Sequence, residues 1–103
     1  MQSFSTKRAL NILVAEDNRL NRRIIMATLE KFGHKPTVVE NAVQVLTQID
    51  KDNYDLILMD IRMPEMSGPE ATRAIRARTD ALAKILIIAL TADAMEEHIQ
   101  GYL

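Results

Sequence analysis

Short apolar runs alternate along this chain with longer stretches of helical spacing. Leu10–Ala15 (LNILVA) is apolar and stops at two acids, which predicts a strand. Asn18 then opens a stretch with Leu20, Ile24, Ile25, Thr28, Leu29 and Phe32 at helical spacing. Asn18 suits the N-cap and Gly33 the C-cap, one residue past Phe32. Pro36–Glu40 (PTVVE) predicts a second strand, and Asn41 caps a helix that carries Ala42, Val45, Leu46 and Ile49 on one face. Tyr54–Met59 is apolar apart from Asp55, the pattern of a strand covered on both faces. After Asp60 comes a loop dense in turn formers, Ile61–Pro69, with Pro69 at the first position of a helix that turns Ala71, Ala74 and Ile75 inward. Ile85–Leu90 (ILIIAL) predicts another buried strand, Asp93 to about Gln100 a short weak helix, and Gly101–Leu103 the start of a fifth strand.

Strands alternating with helices predict right-handed crossovers and a parallel sheet between two helical layers. In such sheets the chemistry sits at the carboxyl ends of the strands, beside the point where strand order reverses. The residues to inspect are therefore Glu16 and Asp17 after the first strand, Asp60 after the third and Thr91 after the fourth.

Composition narrows the choice. A chain of 103 residues is one small domain, spanning 1–103. Thirteen Lys and Arg against fourteen Asp and Glu leave a formal charge of −1, so no direct nucleic-acid contact is expected. The absence of cysteine excludes a disulfide scaffold, a thiolate metal site and a cysteine nucleophile. His34 and His98 are far apart, and neither suits a zinc site. Both are read as exposed. The apolar runs are far shorter than the roughly 20 residues of a membrane span, and the N-terminus has no signal-peptide core. A cytoplasmic domain, without direct membrane contact, is expected.

Three carboxylates at adjacent strand ends repel one another unless a cation joins them or one stays protonated. With oxygen ligands only, Mg²⁺ is favoured over zinc, and Mg²⁺ held by one or two carboxylates commonly also holds a phosphate oxygen. A carboxylate in such a site can serve as nucleophile and form an acyl phosphate. The residues thus point to Mg²⁺-dependent phosphoryl chemistry.

Ile12–Asn21 (ILVAEDNRLN), Leu56–Gly68 (LILMDIRMPEMSG) and Ala89–Ala94 (ALTADA) resemble the receiver domain of two-component response regulators, most like receivers embedded in hybrid sensor histidine kinases. The middle motif is the most specific of the three. The resemblance implies a flavodoxin-like doubly wound parallel sheet in strand order 2-1-3-4-5. It implies that Asp60 accepts a phosphoryl group from a phosphohistidine, and that Glu16, Asp17, Asp60 and the backbone carbonyl of Arg62 hold Mg²⁺. Thr91 would bond a phosphoryl oxygen and act as the switch, and Tyr102 matches the switch aromatic. Arg62 and Asp93 fall at the two positions that tune phosphoryl lifetime. The implied partner is a histidine kinase or histidine phosphotransfer domain, in another protein or in a parent chain. Moving such a switch from mostly inactive to mostly active takes roughly 5 kcal/mol of differential stabilisation.

One departure stands out. The family's Lys, within a Lys-Pro motif, would fall two residues beyond Leu103, and the stretch from Thr91 to Tyr102 is shorter than the family pattern by roughly two helical turns. The fifth strand and last helix are therefore expected to be incomplete. Unseen residues near Gln100–Gly101 explain this better than a truncated receiver, since a sheet lacking an edge strand and a covering helix would expose apolar surface. Two other functions compete. A small aspartyl-phosphate phosphohydrolase needs a second acid two residues after its nucleophile, where this chain has Arg62. A pseudo-receiver would keep the fold without being phosphorylated, and only the missing Lys favours it. Arg19, Arg22 and Arg23 form a small basic patch at the start of the first helix, either a solvated face or part of a docking surface.

Overall fold

The four apolar runs form strands of five residues each: β1 (Asn11–Ala15), β2 (Lys35–Val39), β3 (Leu56–Asp60) and β4 (Leu86–Leu90). Three α-helices join them, α1 (Arg19–Lys31), α2 (Ala42–Gln48) and α3 (Gly68–Arg76), and a 3₁₀ turn at Ala81–Lys84 leads into β4. The computed structural model describes residues 9–61, 63 and 66–90. The expected helix from Asp93 and fifth strand from Gly101 lie outside them.

All strand pairs are parallel, in the order β2-β1-β3-β4. That is the expected 2-1-3-4 portion of a flavodoxin-like sheet. Its order reverses between β1 and β3, where Ala15 sits beside Met59. Two side-chain bonds pin this register from the other end of the strands. The Asp55 carboxylate accepts the Asn11 N–H at 2.7 Å, and the Asn11 amide donates to the Asn53 carbonyl at 2.9 Å.

Strand residues point alternately to the two faces, and the core divides accordingly. Leu13, Ala15, Ile57 and Met59 pack with Ala42, Val45 and Ile49 of α2 and Ala71 and Ile75 of α3. Ile12, Val14 and Leu56 pack on the opposite face with Ile25 and Leu29 of α1. Leu13 and Ile57 are fully buried, and each such side chain stabilises the fold by about 1.5–3 kcal/mol relative to exposure.

The asparagine N-caps act where the sequence puts them, whereas Gly33 and Pro69 each stand one position later than expected. Asn18 and Asn41 cap α1 and α2 by accepting the N–H of Asn21 and Gln44. Ser67 and Glu70 form a reciprocal capping box on α3, so Gly68 takes the first helical position and Pro69 the second. Phe32 is the C-cap of α1, and Gly33 follows it at φ 88°, the left-handed conformation that favours glycine.

The apolar stripe of α1 buries none of its residues fully, and Leu20 and Ile24 are exposed. Three expectations of burial need correction. Ala74 faces solvent, because the inward stripe of α3 is only as wide as Ala71 and Ile75. In β4, Leu86 and Ile88 are exposed, since β3 is its only neighbouring strand among the described residues. His34 is buried, at 6% exposure. The Gly33 turn folds its ring back under β1, where Nδ1 accepts the Leu10 N–H at 3.1 Å.

Candidate functional site

Glu16 follows the last residue of β1. Its N–H still donates to the Val39 carbonyl of β2 at 3.2 Å, which extends the sheet by one bond and keeps the side chain at the strand end. That side chain is 4% exposed, and its Oε2 accepts the Asn18 N–H at 3.0 Å. Asp17, one residue on, is exposed. Asp60 is the last residue of β3 and is 6% exposed. The parallel β1–β3 register brings these chain segments together. One carboxylate oxygen from each of Glu16, Asp17 and Asp60 lies within 4.8 Å of the others.

The donor set can be tested against the cation inferred from the sequence. Mg²⁺ takes oxygen ligands at about 2.1 Å, so neighbouring ligands of its octahedron stand roughly 3.0 Å apart and opposite ones roughly 4.2 Å. Three oxygens within 4.8 Å of one another lie close to that range, and the exposed side of Asp17 leaves room for the waters Mg²⁺ retains. The residues present fit the ion. The arrangement can bind a hard cation and bring a buried carboxylate, Asp60, up to a phosphoryl group held on it.

The backbone around Asp60 is fixed on two sides. Ile61 donates its N–H to the Leu90 carbonyl of β4 at 2.9 Å, and its own carbonyl accepts the Gly68 N–H at 3.0 Å. The start of α3 therefore rests directly on the end of β3. A Cβ built on Gly68 would stand 2.5 Å from the Asp60 carbonyl oxygen and 3.0 Å from the Ile61 Cα. Only glycine permits this approach. In the sequence Gly68 is one of several turn formers, and its close approach to Asp60 depends on the packing of α3.

Of the other residues named from the sequence, Arg62, Thr91, Asp93 and Tyr102 lie outside the described residues. Arg22, read before only as part of a basic patch, reaches the acidic loop. Its Nη1 donates to the carbonyls of Glu16 and Asp17, each at 2.9 Å. The signal available in the sequence was its position one helical turn past the Asn18 cap. Arg19 and Arg23 are exposed and border, with Glu40, Gln44 and Lys51, a shallow groove of about 770 Å³ beside β2. Among the described residues, no helix is long and apolar enough to cross a membrane.

Known proteins share this sequence pattern and fold. The family profile described as response regulator receiver domain matches residues 12–103. The chain is 33% identical over 95 residues to the sensory/regulatory protein RpfC of Xanthomonas campestris, covering 91% of the chain and 13% of that protein. It is 36% identical over 92 residues to the sensor protein GacS of Pseudomonas syringae, covering 87% of the chain and 10% of that protein. The chain thus spans a small fraction of the length of the curated relatives it matches. Among solved structures, the receiver domain of a sensor histidine kinase from Pseudomonas aeruginosa, with a magnesium ion coordinated in its active-site cleft, superposes with a TM-score of 0.77 at 38% identity, covering 89% of this chain and 75% of that one. The signal receiver domain of a histidine kinase from Syntrophus aciditrophicus gives 0.76 at 27% identity, covering 89% and 72%.

Proposed function

The chain belongs to the response regulator receiver domain family, and from that premise we propose that it is a phosphoacceptor switch, phosphorylated on Asp60 by a partner phosphohistidine with the help of Mg²⁺. The observation that carries this reading is the convergence of Glu16, Asp17 and Asp60 within 4.8 Å at the reversal point of the sheet. The magnesium ion in the cleft of the Pseudomonas aeruginosa receiver supports it.

Glu16, Asp17 and Asp60 would hold the ion, with the Arg62 carbonyl as a further protein ligand. When bound, the ion offsets the repulsion among the carboxylates and withdraws charge from the phosphoryl oxygens. An Asp60 carboxylate oxygen attacks phosphorus in line, the P–O bond forms as the P–N bond breaks, and the imidazole leaves. Burial of Asp60 keeps competing water from the nucleophile. Thr91 bonds a phosphoryl oxygen of the product and relays the change, Tyr102 follows it inward, and Arg62 and Asp93 set how long the phosphoryl group lasts. Residues 1–103 act as a single receiver domain with no turnover of an outside substrate. Its setting is a hybrid sensor kinase on the cytoplasmic side, supplied by that kinase or by a histidine phosphotransfer domain. The relatives RpfC and GacS support that setting.

Intact mass before and after incubation with a small phosphodonor and Mg²⁺ tests the reading. One phosphoryl adduct is expected on the wild type and none on Asp60→Asn. A wild-type chain that takes no adduct, from the small donor or from a phosphorylated histidine phosphotransfer domain, would overturn it.

A further inference from the structure

Arg22 belongs to the first turns of α1, and its side chain runs back past the helix start to the loop it follows. The carbonyls of Glu16 and Asp17 both accept from Nη1 at 2.9 Å. Nη2 lies 3.5 Å from Glu40 Oε1, and the arginine side chain is 17% exposed against 66% for the glutamate. The guanidinium is thus held mainly by the two carbonyls, with Glu40 as a solvent-facing counterion.

Peptide groups are planar, so fixing a carbonyl fixes its whole peptide plane. The Glu16 and Asp17 carbonyls belong to the two planes that flank the Asp17 Cα. Holding both sets the direction in which the Asp17 side chain leaves the chain. Glu16 has a second restraint, the Asn18 N–H on its carboxylate. No hydrogen bond among the described residues holds the Asp17 carboxylate, so its aim depends on the backbone.

We propose that Arg22 is a positioning residue that orients Asp17 toward Glu16 and Asp60 before any cation arrives. The proposal rests on the cation-site reading given above. It also makes a prediction opposite in sign to simple electrostatics. A guanidinium beside three acids repels a cation, so if charge were its only effect, removing it would tighten Mg²⁺ binding. If it acts by orientation, removing it weakens binding. A lysine keeps the charge but ends one bond short, so it restores the clamp only in part.

Mg²⁺ titration by calorimetry on wild type, Arg22→Met and Arg22→Lys decides between these, together with amide exchange at Asp17 and Asn18 in metal-free protein. Arg22→Met is expected to bind Mg²⁺ about tenfold more weakly, the low end for groups that orient metal ligands. Arg22→Lys should fall between it and wild type. The Asp17 and Asn18 amides should exchange faster in Arg22→Met without metal. A purely structural role would lower the melting temperature and leave the affinity of the folded protein unchanged, which overturns the proposal, as would binding equal to or tighter than wild type. Should Arg22→Met fail to fold, Arg22→Lys carries the same test. If wild type itself binds no Mg²⁺, the cation-site reading fails, and the metal-free exchange rates still decide whether Arg22 orders the loop.

Discussion

Replacing Gly68 with alanine adds a methyl group where the chain leaves least room for one. The added carbon meets the Asp60 carbonyl oxygen at 2.5 Å, the Ile61 Cα at 3.0 Å and the Asp60 carbonyl carbon at 3.2 Å. All three are backbone atoms, so no rotamer change relieves the contact. Ordinary contact begins at 3.4 Å, and the closest pair must therefore separate by about 0.9 Å. Either α3 lifts away from β3 and stretches the 3.0 Å bond from the Gly68 N–H to the Ile61 carbonyl, or the Asp60 peptide rotates. Overpacking of this kind costs about 1–3 kcal/mol, and the lower chain entropy of alanine in the unfolded state offsets less than about 1 kcal/mol of it. A net loss of about 2 kcal/mol should lower the melting temperature of a domain this size by roughly 10 °C. Scanning calorimetry and urea unfolding measure it directly, and Mg²⁺ titration should show weaker binding, because both routes of relief disturb Asp60. A Gly68→Ala protein that melts within about 2 °C of wild type and binds Mg²⁺ equally well would refute the close approach of α3 to the end of β3.

Four further outcomes are expected. Gly33→Ala meets no atom within 4 Å, so only its φ of 88° is unfavourable; the loss in urea unfolding should be about 1 kcal/mol, with Mg²⁺ affinity unchanged. Millimolar Mg²⁺ should raise the wild-type melting temperature by binding the folded state alone. Asp60→Asn, with one repelling charge fewer, should be at least as stable without metal and respond less to it. Asp80 is held below its ordinary value of 3.8, first by its hydrogen bond from Arg78. A lowered folded pKa contributes stability at neutral pH that is lost as pH falls through 3.8 and below. The contribution is small because the pair is exposed. Urea midpoints measured from pH 6 down to pH 3 should therefore fall slightly more steeply for wild type than for Arg78→Met.

Much of the fold was legible because its signals are local. Asn18, Asn41 and Gly33 act through bonds and dihedrals within a few residues of themselves; the two asparagines cap as their positions predict, and Gly33 ends α1 from one residue past the cap Phe32. The apolar runs identified all four described strands, most sharply β1 and β3, since a strand covered on two faces has nowhere to put a polar residue. The strand-end rule then singled out Glu16, Asp17 and Asp60, although their convergence depends on residues 44 apart in the chain pairing in one register. Burial was legible only in part, because it belongs to neighbours and not to a residue's own polarity. Leu20, Ile24 and Leu86 are apolar and exposed, whereas His34 is polar and buried. Backbone contacts between elements were far less legible than the local caps. Nothing in a string of side chains says that Gly68 rests on the Asp60 carbonyl, and the position of Arg22 one turn past the cap does not say which carbonyls it grips. The sequence by itself determined which residue types end the strands and which caps begin the helices, because those choices are settled by period and local hydrogen bonding. Only the tertiary structure decided how closely the acids approach and what holds them, because those distances follow from packing a helix against a strand end.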